Sequence, residues 1–539
     1  MAWRGPSWRG VAAACSAAVA LLTVGAPMAT ADLADSAQST ETSVLVVGVS
    51  TDSASARVLA QNGEVSDELA IVNAVAADVT PAELKALQND PQVAVVPNAR
   101  VDVMGVAAPA VRKPAAVFPE TTGATSLDDD AAGKGVAVAV LDTGISRVKD
   151  LKRIVGGVDL SGEGDPFKDN YGHGTFVSGL IAGTGRSSDG EYMGEAPGAS
   201  LVSIKVAGAS GITDMATVIS GIQWAVTNKD ALRIGVLNIS LGAPPFPSSV
   251  INPLDQAVEA AWRAGIVVVT SAGNTGPING TITSPGDDPL VITAGAIDDQ
   301  GTARRSDDTM AAFSAVGPTA VDGWFKPDLV ASGRSVVSLR VPGSVIDTAN
   351  PSARIGDANF VGSGTSFSAA ITSGAAALLR QLHPTWSPDR IKGALLAGTS
   401  PGPAGNPFVD GFGSLNVAKA TRVTAVLNQV APTTPTAPGT TVSLFLTGAG
   451  SAWNGSSWNG SAWNGSSWNG SAWNGSAWNG SSWNGSSWNG SAWNGSSWNG
   501  SSWNGSSWNG SAWNGSAWNG SSWNGSSWNG SSWNGSAWN

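Results

Sequence analysis

Four short stretches carry the residue types from which nucleophilic chemistry can be built. Gly362-Ser363-Gly364-Thr365-Ser366-Phe367-Ser368-Ala369-Ala370 runs straight into the apolar segment Ile371 to Leu379. It reads as a tight glycine turn that delivers the Ser366 hydroxyl at the first turn of a helix. The helix N-terminus places unpaired N–H groups and partial positive charge beside that hydroxyl. By itself such a serine is an N-cap and nothing more. To become a nucleophile it needs a base, and the 539-residue chain holds only two histidines, His173 and His383. His173 lies in the glycine-flanked turn Asn170-Tyr171-Gly172-His173-Gly174-Thr175, ahead of an apolar helix. A third stretch, Leu141-Asp142-Thr143-Gly144, ends an apolar run in a carboxylate, and a fourth, Ser271-Ala272-Gly273-Asn274, ends another in a side-chain amide. Singly, each reads equally as a cap or turn.

The elements that position these residues follow from hydrophobic pattern. Val136 to Leu141, Leu201 to Val206, Ile234 to Ile239 and Ile266 to Thr270 are continuous apolar runs, as expected of strands buried on both faces. Helices alternate with them. One begins near Thr213-Asp214, and another has Asn252 as N-cap, Pro253 at its first position and Gly265 as its stop. This order predicts an α/β fold with a doubly wound, mostly parallel sheet, and ligands in such sheets lie beyond the carboxyl ends of the strands. Asp142 and Asn274 fall at those ends.

Taken together, in the order Asp, His, Ser, the motifs resemble the subtilisin family of serine proteases from about Ala132 to Ala420. The resemblance implies Ser366 as nucleophile, His173 as the base that later protonates the leaving amine, and Asp142 as the group orienting the imidazole. It implies Asn274 and the Ser366 N–H as oxyanion donors, and Ser240-Leu241-Gly242 as the segment whose backbone pairs with the peptide substrate. His383, just before a helix capped by Ser387 with Pro388 at its first position, reads as structural. Phe176, Ser332 and Ala370 depart from residues usual in the family, and Phe367 stands where methionine is common. No cofactor is required. Calcium occurs in many relatives, but the acidic pairs Asp287-Asp288, Asp298-Asp299 and Asp307-Asp308 read as solvated loop charges, and no metal ligand is assigned.

Around this body the composition divides the chain. Arg4 and Arg9, the apolar run Val11 to Val24 and Ala29-Thr30-Ala31 read as a signal peptide over residues 1–31, too short for a membrane anchor. The single cysteine, Cys15, leaves with it, so no disulfide or cysteine-zinc site is expected. Residues 42–104 read as a small α+β unit, in which Thr80-Pro81-Ala82-Glu83 starts a helix. The family resemblance makes this unit a shortened pro-region, acting as chaperone and inhibitor, with a cut between Met104 and Thr125. Gly105 to Ala124 reads as an exposed linker. The expected division is 32–118 pro-region and linker, 119–424 catalytic domain, 425–450 Pro/Thr-rich linker and 451–539 repeats. A net charge of −11 argues against a nucleic-acid partner.

From Ser451 onward, Ser-(Ala/Ser)-Trp-Asn-Gly repeats eighteen times, without one charge and with 18 of the 24 tryptophans. A flexible chain, a stacked β-solenoid and a ladder of aromatics that binds cell-wall glycan or another tail all fit this pattern. Against the solenoid, four tryptophans per coil overpack its interior. The expectation is a secreted, extracellular, self-processing endopeptidase acting on protein or peptide substrates, with surface retention through the tail. The rival readings are an inactive protease scaffold and a cell-wall structural or binding protein acting through the Trp-rich tail.

Overall fold

The computed structural model describes residues 41–103, 106–107, 116–127, 130–245, 248–249, 251–423, 428–429 and 446–447. The signal stretch, residues 105 and 108–115 of the Gly105–Ala124 segment, and the repeats lie outside these residues.

The first unit is an antiparallel sheet of four strands, β1 (Thr42–Val47), β2 (Glu64–Leu69), β3 (Ala74–Val79) and β4 (Ala94–Pro97), in the order β2-β3-β1-β4. Helices α1 (Thr51–Ala60) and α2 (Pro81–Gln88) accompany it. Alternation along β1 and β3 buries Val44, Val46, Val75, Ala77 and Val79 against Val58 of α1 and Leu87 of α2 in a core of its own. The capping box expected at Thr80 is formed: Thr80 N–H donates to Glu83 Oε2 at 2.8 Å and Glu83 N–H to Thr80 Oγ1 at 3.4 Å. Two short strands follow, β5 (Arg100–Val103) and β6 (Val106–Ala107).

The predicted linker ends earlier than its composition suggests. Phe118–Thr122 forms a helix, α3, with Phe118 and Thr122 buried. Phe118 is large and apolar enough to join the main core, and that outweighs the Pro/Thr content around it.

The main body is built on strands β7 (Ala137–Asp142), β8 (Ile154–Asp159), β9 (Ser200–Lys205), β11 (Ile234–Ile239), β13 (Val267–Ser271), β14 (Ile292–Asp298), β15 (Thr309–Met310) and β16 (Leu329–Ser332). They form one sheet in the order β15-β14-β13-β11-β7-β9-β8, with β16 beside β14, parallel except for β15. The α/β, mostly parallel architecture read from the sequence is therefore the observed one. Outside the sheet lie the short strands β10 (Ile212–Asp214) and β12 (Leu241–Gly242), and the antiparallel group β17 (Val336–Leu339), β18 (Arg354–Ile355) and β19 (Asn359–Ser363).

Helices α4 (His173–Ala182), α5 (Met215–Leu232), α6 (Pro253–Arg263), α7 (Val345–Ala349), α8 (Thr365–Leu382), α9 (Pro388–Ala397) and α10 (Val417–Ala420) complete the body. α6 begins as expected, with the Asn252 side chain accepting from Leu254 N–H and Pro253 at the first position. α8 is buried along its length from Thr365 to Leu379, so it forms the spine against which the sheet packs. His383 terminates α8 and stacks on Trp386, ring centroids 3.7 Å apart, which fits its structural reading.

The acidic pairs correct the sequence reading. Asp287, Asp288, Asp298, Asp299 and Asp308 are buried, and only Asp307 is half-buried. Their backbones make the turns that carboxylates stabilise from inside: Asp288 Oδ1 accepts the N–H groups of Leu290 and Val291, Asp298 Oδ1 that of Gln300, and Asp299 Oδ1 that of Gly301. Asp287 and Asp288 lie near two more buried carboxyls, Asp255 and Glu259. Burial raises the pKa of all four; repulsion from neighbouring carboxylates adds to it at Asp255, Glu259 and Asp287, whereas Lys326 opposes it at Asp288. Among the described residues, no group of three or more acidic, histidine or cysteine side chains is arranged to hold a metal ion.

Candidate active site

The strand order β13-β11-β7 sets three carboxyl ends side by side. Their registers pair Leu141 with Ile239 and Ile239 with Thr270, so Asp142, Ser240 and the Ser271–Asn274 turn emerge at one level. Two helices begin there. α4 starts at His173 and α8 at Thr365, one residue before Ser366.

Asp142 is completely buried at the end of β7, and both its carboxylate oxygens face the imidazole, with Oδ1 at 2.8 Å and Oδ2 at 3.0 Å from His173 Nδ1. That contact fixes the tautomer with the proton on Nδ1 and leaves Nε2 as the basic nitrogen. The turn that carries His173 is held by Asp169. Its Oδ1 accepts from Gly172 N–H at 2.7 Å and from the Thr143 hydroxyl at 2.8 Å, and its Oδ2 accepts from Thr175 N–H at 2.8 Å. Burial pushes the Asp169 carboxyl up, against the pull of these donors. Thr143 accepts in turn from Gly174 N–H at 2.9 Å, which ties the end of β7 to the start of α4. Gly174 has no alternative there, because a Cβ would run into the Gly144 carbonyl.

Ser366 is held against β11 by a polar relay. Ser373 Oγ donates to Asn238 Oδ1, Asn238 Nδ2 to Ser240 Oγ, and Ser240 Oγ to the Ser366 carbonyl, at 2.9, 2.9 and 3.1 Å. The Ser366 hydroxyl donates to the Ser240 carbonyl at 3.2 Å, while His173 Nε2 is buried with no hydrogen-bond partner among the described residues. The structure thus joins Asp142 to His173, and it sets Ser366 beside them with its hydroxyl turned to β11. Phe367, the next residue of α8, lies 5.7 Å from the imidazole and 4.4 Å from Phe176, ring centroid to centroid. Phe176 and Phe367, two of the departures noted in the sequence, therefore pack on each other beside His173. Gly362 makes room for both rings.

Asn274 is oriented by α8. Its Oδ1 accepts from Thr365 N–H at 2.9 Å and from Thr365 Oγ1 at 3.0 Å, which turns the amide nitrogen the other way. Thr365 Oγ1 also accepts from Gly273 N–H at 3.1 Å. Sequence reasoning misses Thr365 and Asp169. Only their places, one before the serine and four before the histidine, mark them.

Substrate-sized backbone already lies across these residues. β5 runs antiparallel to β12, Val103 opposite Leu241 and Asp102 opposite Gly242, and antiparallel to β10 on its other side. Val103 N–H donates to the Gly211 carbonyl at 3.2 Å. β6 then pairs with Gly362 and Ser363, the last two residues of β19. Behind β12, Ala243 and Ser284 exchange backbone hydrogen bonds, and Ser284 Oγ donates to the buried Asp255 at 3.0 Å. Ser284 therefore stands beside the end of β12.

A buried carboxylate on imidazole Nδ1, a serine at a helix N-terminus and an oriented amide form a set able to perform acyl transfer. Comparison with known proteins agrees. The subtilase family model matches residues 133–413. Serine protease AprX of Bacillus subtilis (strain 168) is 44% identical over 291 residues, 53% of this chain and 65% of AprX, so the match spans just under two thirds of that relative. M-protease of Shouchella clausii (strain KSM-K16) is 33% identical over 364 residues, 67% of this chain and 82% of its own length. The crystal structure of fervidolysin from Fervidobacterium pennivorans superposes with a TM-score of 0.57 over 73% of this chain and 62% of that one, at 23% identity, a likeness of fold. With the matched region running from just before β7, across every residue of the polar set around Ser366, to the turn at Gly413, the chain belongs to the subtilase family, and residues 133–413 form its subtilisin-like serine peptidase domain.

Proposed function

We propose that the chain is the zymogen of a secreted endopeptidase, with residues 41–103 as its pro-region and Ser366, His173 and Asp142 as its catalytic residues. The observation that carries this reading is the course of β5 and β6. The pro-region's last strand lies antiparallel on Leu241–Gly242, the mode in which a peptide substrate adds a strand to an enzyme. The chain then crosses to Ser363 on the far side of Ser366. The bond cut is accordingly one of the three that join Val103 to Val106. Met104 and Gly105 lie outside the described residues.

In the reaction, the Ser366 hydroxyl leaves the Ser240 carbonyl and gives its proton to His173 Nε2 as Oγ attacks the substrate carbonyl carbon. Asp142 accepts from Nδ1–H throughout and stabilises the imidazolium. The oxyanion takes hydrogen bonds from the Asn274 amide and the Ser366 N–H, and these strengthen as charge develops. Collapse breaks the C–N bond, the proton on Nε2 leaves with the amine, and water repeats the sequence on the acyl-enzyme.

Thr365 acts as a positioning residue for Asn274. Thr365→Val removes the hydroxyl that holds both Asn274 Oδ1 and Gly273 N–H. The expected result is a fall in kcat of about 10- to 100-fold with KM little changed, short of the roughly 10²–10³ lost with an oxyanion donor itself. An equal change in KM would place the effect on substrate binding instead. Phe367 supplies no thioether beside Ser366, so activity is expected to survive mild peroxide. Rapid inactivation there would contradict this. Both assays use the purified mature enzyme on casein, whose hydrolysis, together with a new N-terminus at residue 104, 105 or 106, is the direct test of the reading. Casein left intact by a correctly processed chain would favour a peptidase that acts only on itself.

Secretion rests on the stretch from Arg4 to Ala31, and no helix among the described residues is long and apolar enough to cross a membrane. Contact of the repeat tail with a wall or glycan belongs to the same proposal, through the amphipathic faces of its indoles.

A further inference from the structure

At the end of the sheet opposite Asp142, a cavity of about 710 Å³ opens beside Val136 and Ile234, at the amino ends of β7 and β11. Its apolar lining includes Trp262 and Leu290, and its cations are Lys229, Arg233, Arg263 and Arg380. Lys229 is paired with Asp230 and Arg263 with Glu259. The other two guanidiniums are not neutralised. Arg380 donates to the carbonyls of Trp386 and Gly265, and Arg233 makes no side-chain hydrogen bond or ion pair among the described residues. With Asp230 and Asp389 also in the lining, the latter accepting from the Trp262 indole N–H at 2.7 Å, the cavity keeps two more cations than carboxylates over apolar surface in a chain of net charge −11.

The chain leaves the body close by. The short strand β20 (Asn428–Gln429) packs against α9, and the start of α9, Ser387 to Asp389, lines the cavity. α9 is only about 15 Å long. The chain returns to β20 in the strand Leu446–Thr447, which pairs antiparallel with it, Thr447 opposite Asn428. The first repeat tryptophan, Trp453, follows six residues later, a reach of roughly 12–15 Å for a flexible chain. Arginine-on-indole stacking is already present at this corner, where the Arg390 guanidinium lies 4.5 Å from the centre of the Trp386 ring.

We propose that the cavity is a docking site for the chain's own tail, and that it takes one Trp-Asn-Gly unit with the indole on the apolar floor against Arg233 and Arg380. Guanidinium groups without a carboxylate favour an aromatic face, and the repeats offer eighteen indoles with no competing charge. Tethering keeps the tail at a high effective concentration, and the identical repeats multiply the chance of occupancy. The site folds one repeat back on the peptidase while the others stay available to a partner.

The test uses the full chain carrying Ser366→Ala and a photo-crosslinking residue at the exposed position of Asp230. Peptide mapping of a mixture of isotopically light and heavy chains identifies what lies in the cavity. The expected result is a link to peptides of residues 451–539 in the same molecule. The yield should fall about tenfold with Arg233→Glu, the loss of one arginine–indole contact, and also with excess N-acetyltryptophanamide. Arg233 is exposed, and an unchanged melting temperature would confirm that its variant is folded. Links confined to the body, or joining light to heavy chains, would overturn the proposal. Displacement by inorganic phosphate but not by the indole would overturn it in favour of an anion site.

Discussion

Ser366→Ala is expected to lower peptide hydrolysis by on the order of 10⁶ and to leave the pro-region attached. A serine nucleophile acts as one unit with its base, so losing it costs about as much as losing the whole set. The variant should fold, because the hydroxyl's one hydrogen bond, 3.2 Å to the Ser240 carbonyl, is a small part of what fixes α8. The Ser373–Asn238–Ser240 relay to the Ser366 carbonyl remains. Mass spectrometry of the two chains side by side reads the result. Wild type should lose everything up to residue 103, 104 or 105, and Ser366→Ala should not. If processing is intramolecular, as the pairing of β5 and β6 across Ser366 suggests, its rate will not depend on protein concentration. Normal processing in the alanine variant would remove Ser366 from the role proposed here. Failure of both chains to process or to cut casein would make the scaffold reading the better one.

The arrangement of His173 bears on the same experiment. Its Nε2 is buried with no hydrogen-bond partner among the described residues, and Ser366 Oγ points to β11. In the proposed reaction the Ser366 hydroxyl must therefore turn from β11 toward His173, a change of rotamer with a small barrier for a serine.

What can be read from the sequence, and what cannot, follows from how each residue is marked. Asp142, His173, Asn274 and Ser366 each sit in a glycine-flanked turn beside an apolar run. The close approaches at Gly174 and Gly362 explain why glycine must be there. Strands β7, β9, β11 and β13 are legible because both faces are covered, which writes an unbroken apolar run. β8, Ile154–Asp159, lies at the sheet edge, contains two glycines and is only partly buried, so it carries no such run. Asp169, Thr143, Thr365 and the Asn238–Ser240–Ser373 relay are common polar residues whose roles arise from contacts between distant segments. The buried aspartates escape for the related reason that composition counts a carboxylate as solvated. Here folded turns supply N–H groups to one carboxylate oxygen each of Asp288, Asp298 and Asp299.

Glu195 is a carboxyl that the fold holds against its usual chemistry, and Glu195→Gln is expected to remove that group's own share of the alkaline loss of stability. Glu195 is 2% exposed, with its Cβ against Gly374 of α8 and neither carboxyl oxygen in a standard hydrogen bond among the described residues. Burial raises its pKa from 4.5 to about 8, opposed only by the nearby hydroxyl of Thr122 in α3, which itself donates to the Pro119 carbonyl. The folded chain therefore keeps this proton up to about pH 8, whereas the unfolded chain releases it near pH 4.5. Stability falls as pH rises between those values and stays low above them, by roughly 4–5 kcal/mol in all. Glutamine is neutral throughout and close in shape. It leaves a buried amide that costs about 1–3 kcal/mol at every pH, so the slope with pH is the informative quantity. In the Ser366→Ala background, where self-cleavage does not intervene, thermal midpoints with and without Glu195→Gln should converge or cross at roughly pH 5–6, where the loss from the carboxyl equals the cost of the amide. By about pH 8.5 they should separate by on the order of 5–10 °C in favour of the glutamine. Parallel curves would mean that Glu195 ionises in the folded protein, with α3 lifting from the body to admit water.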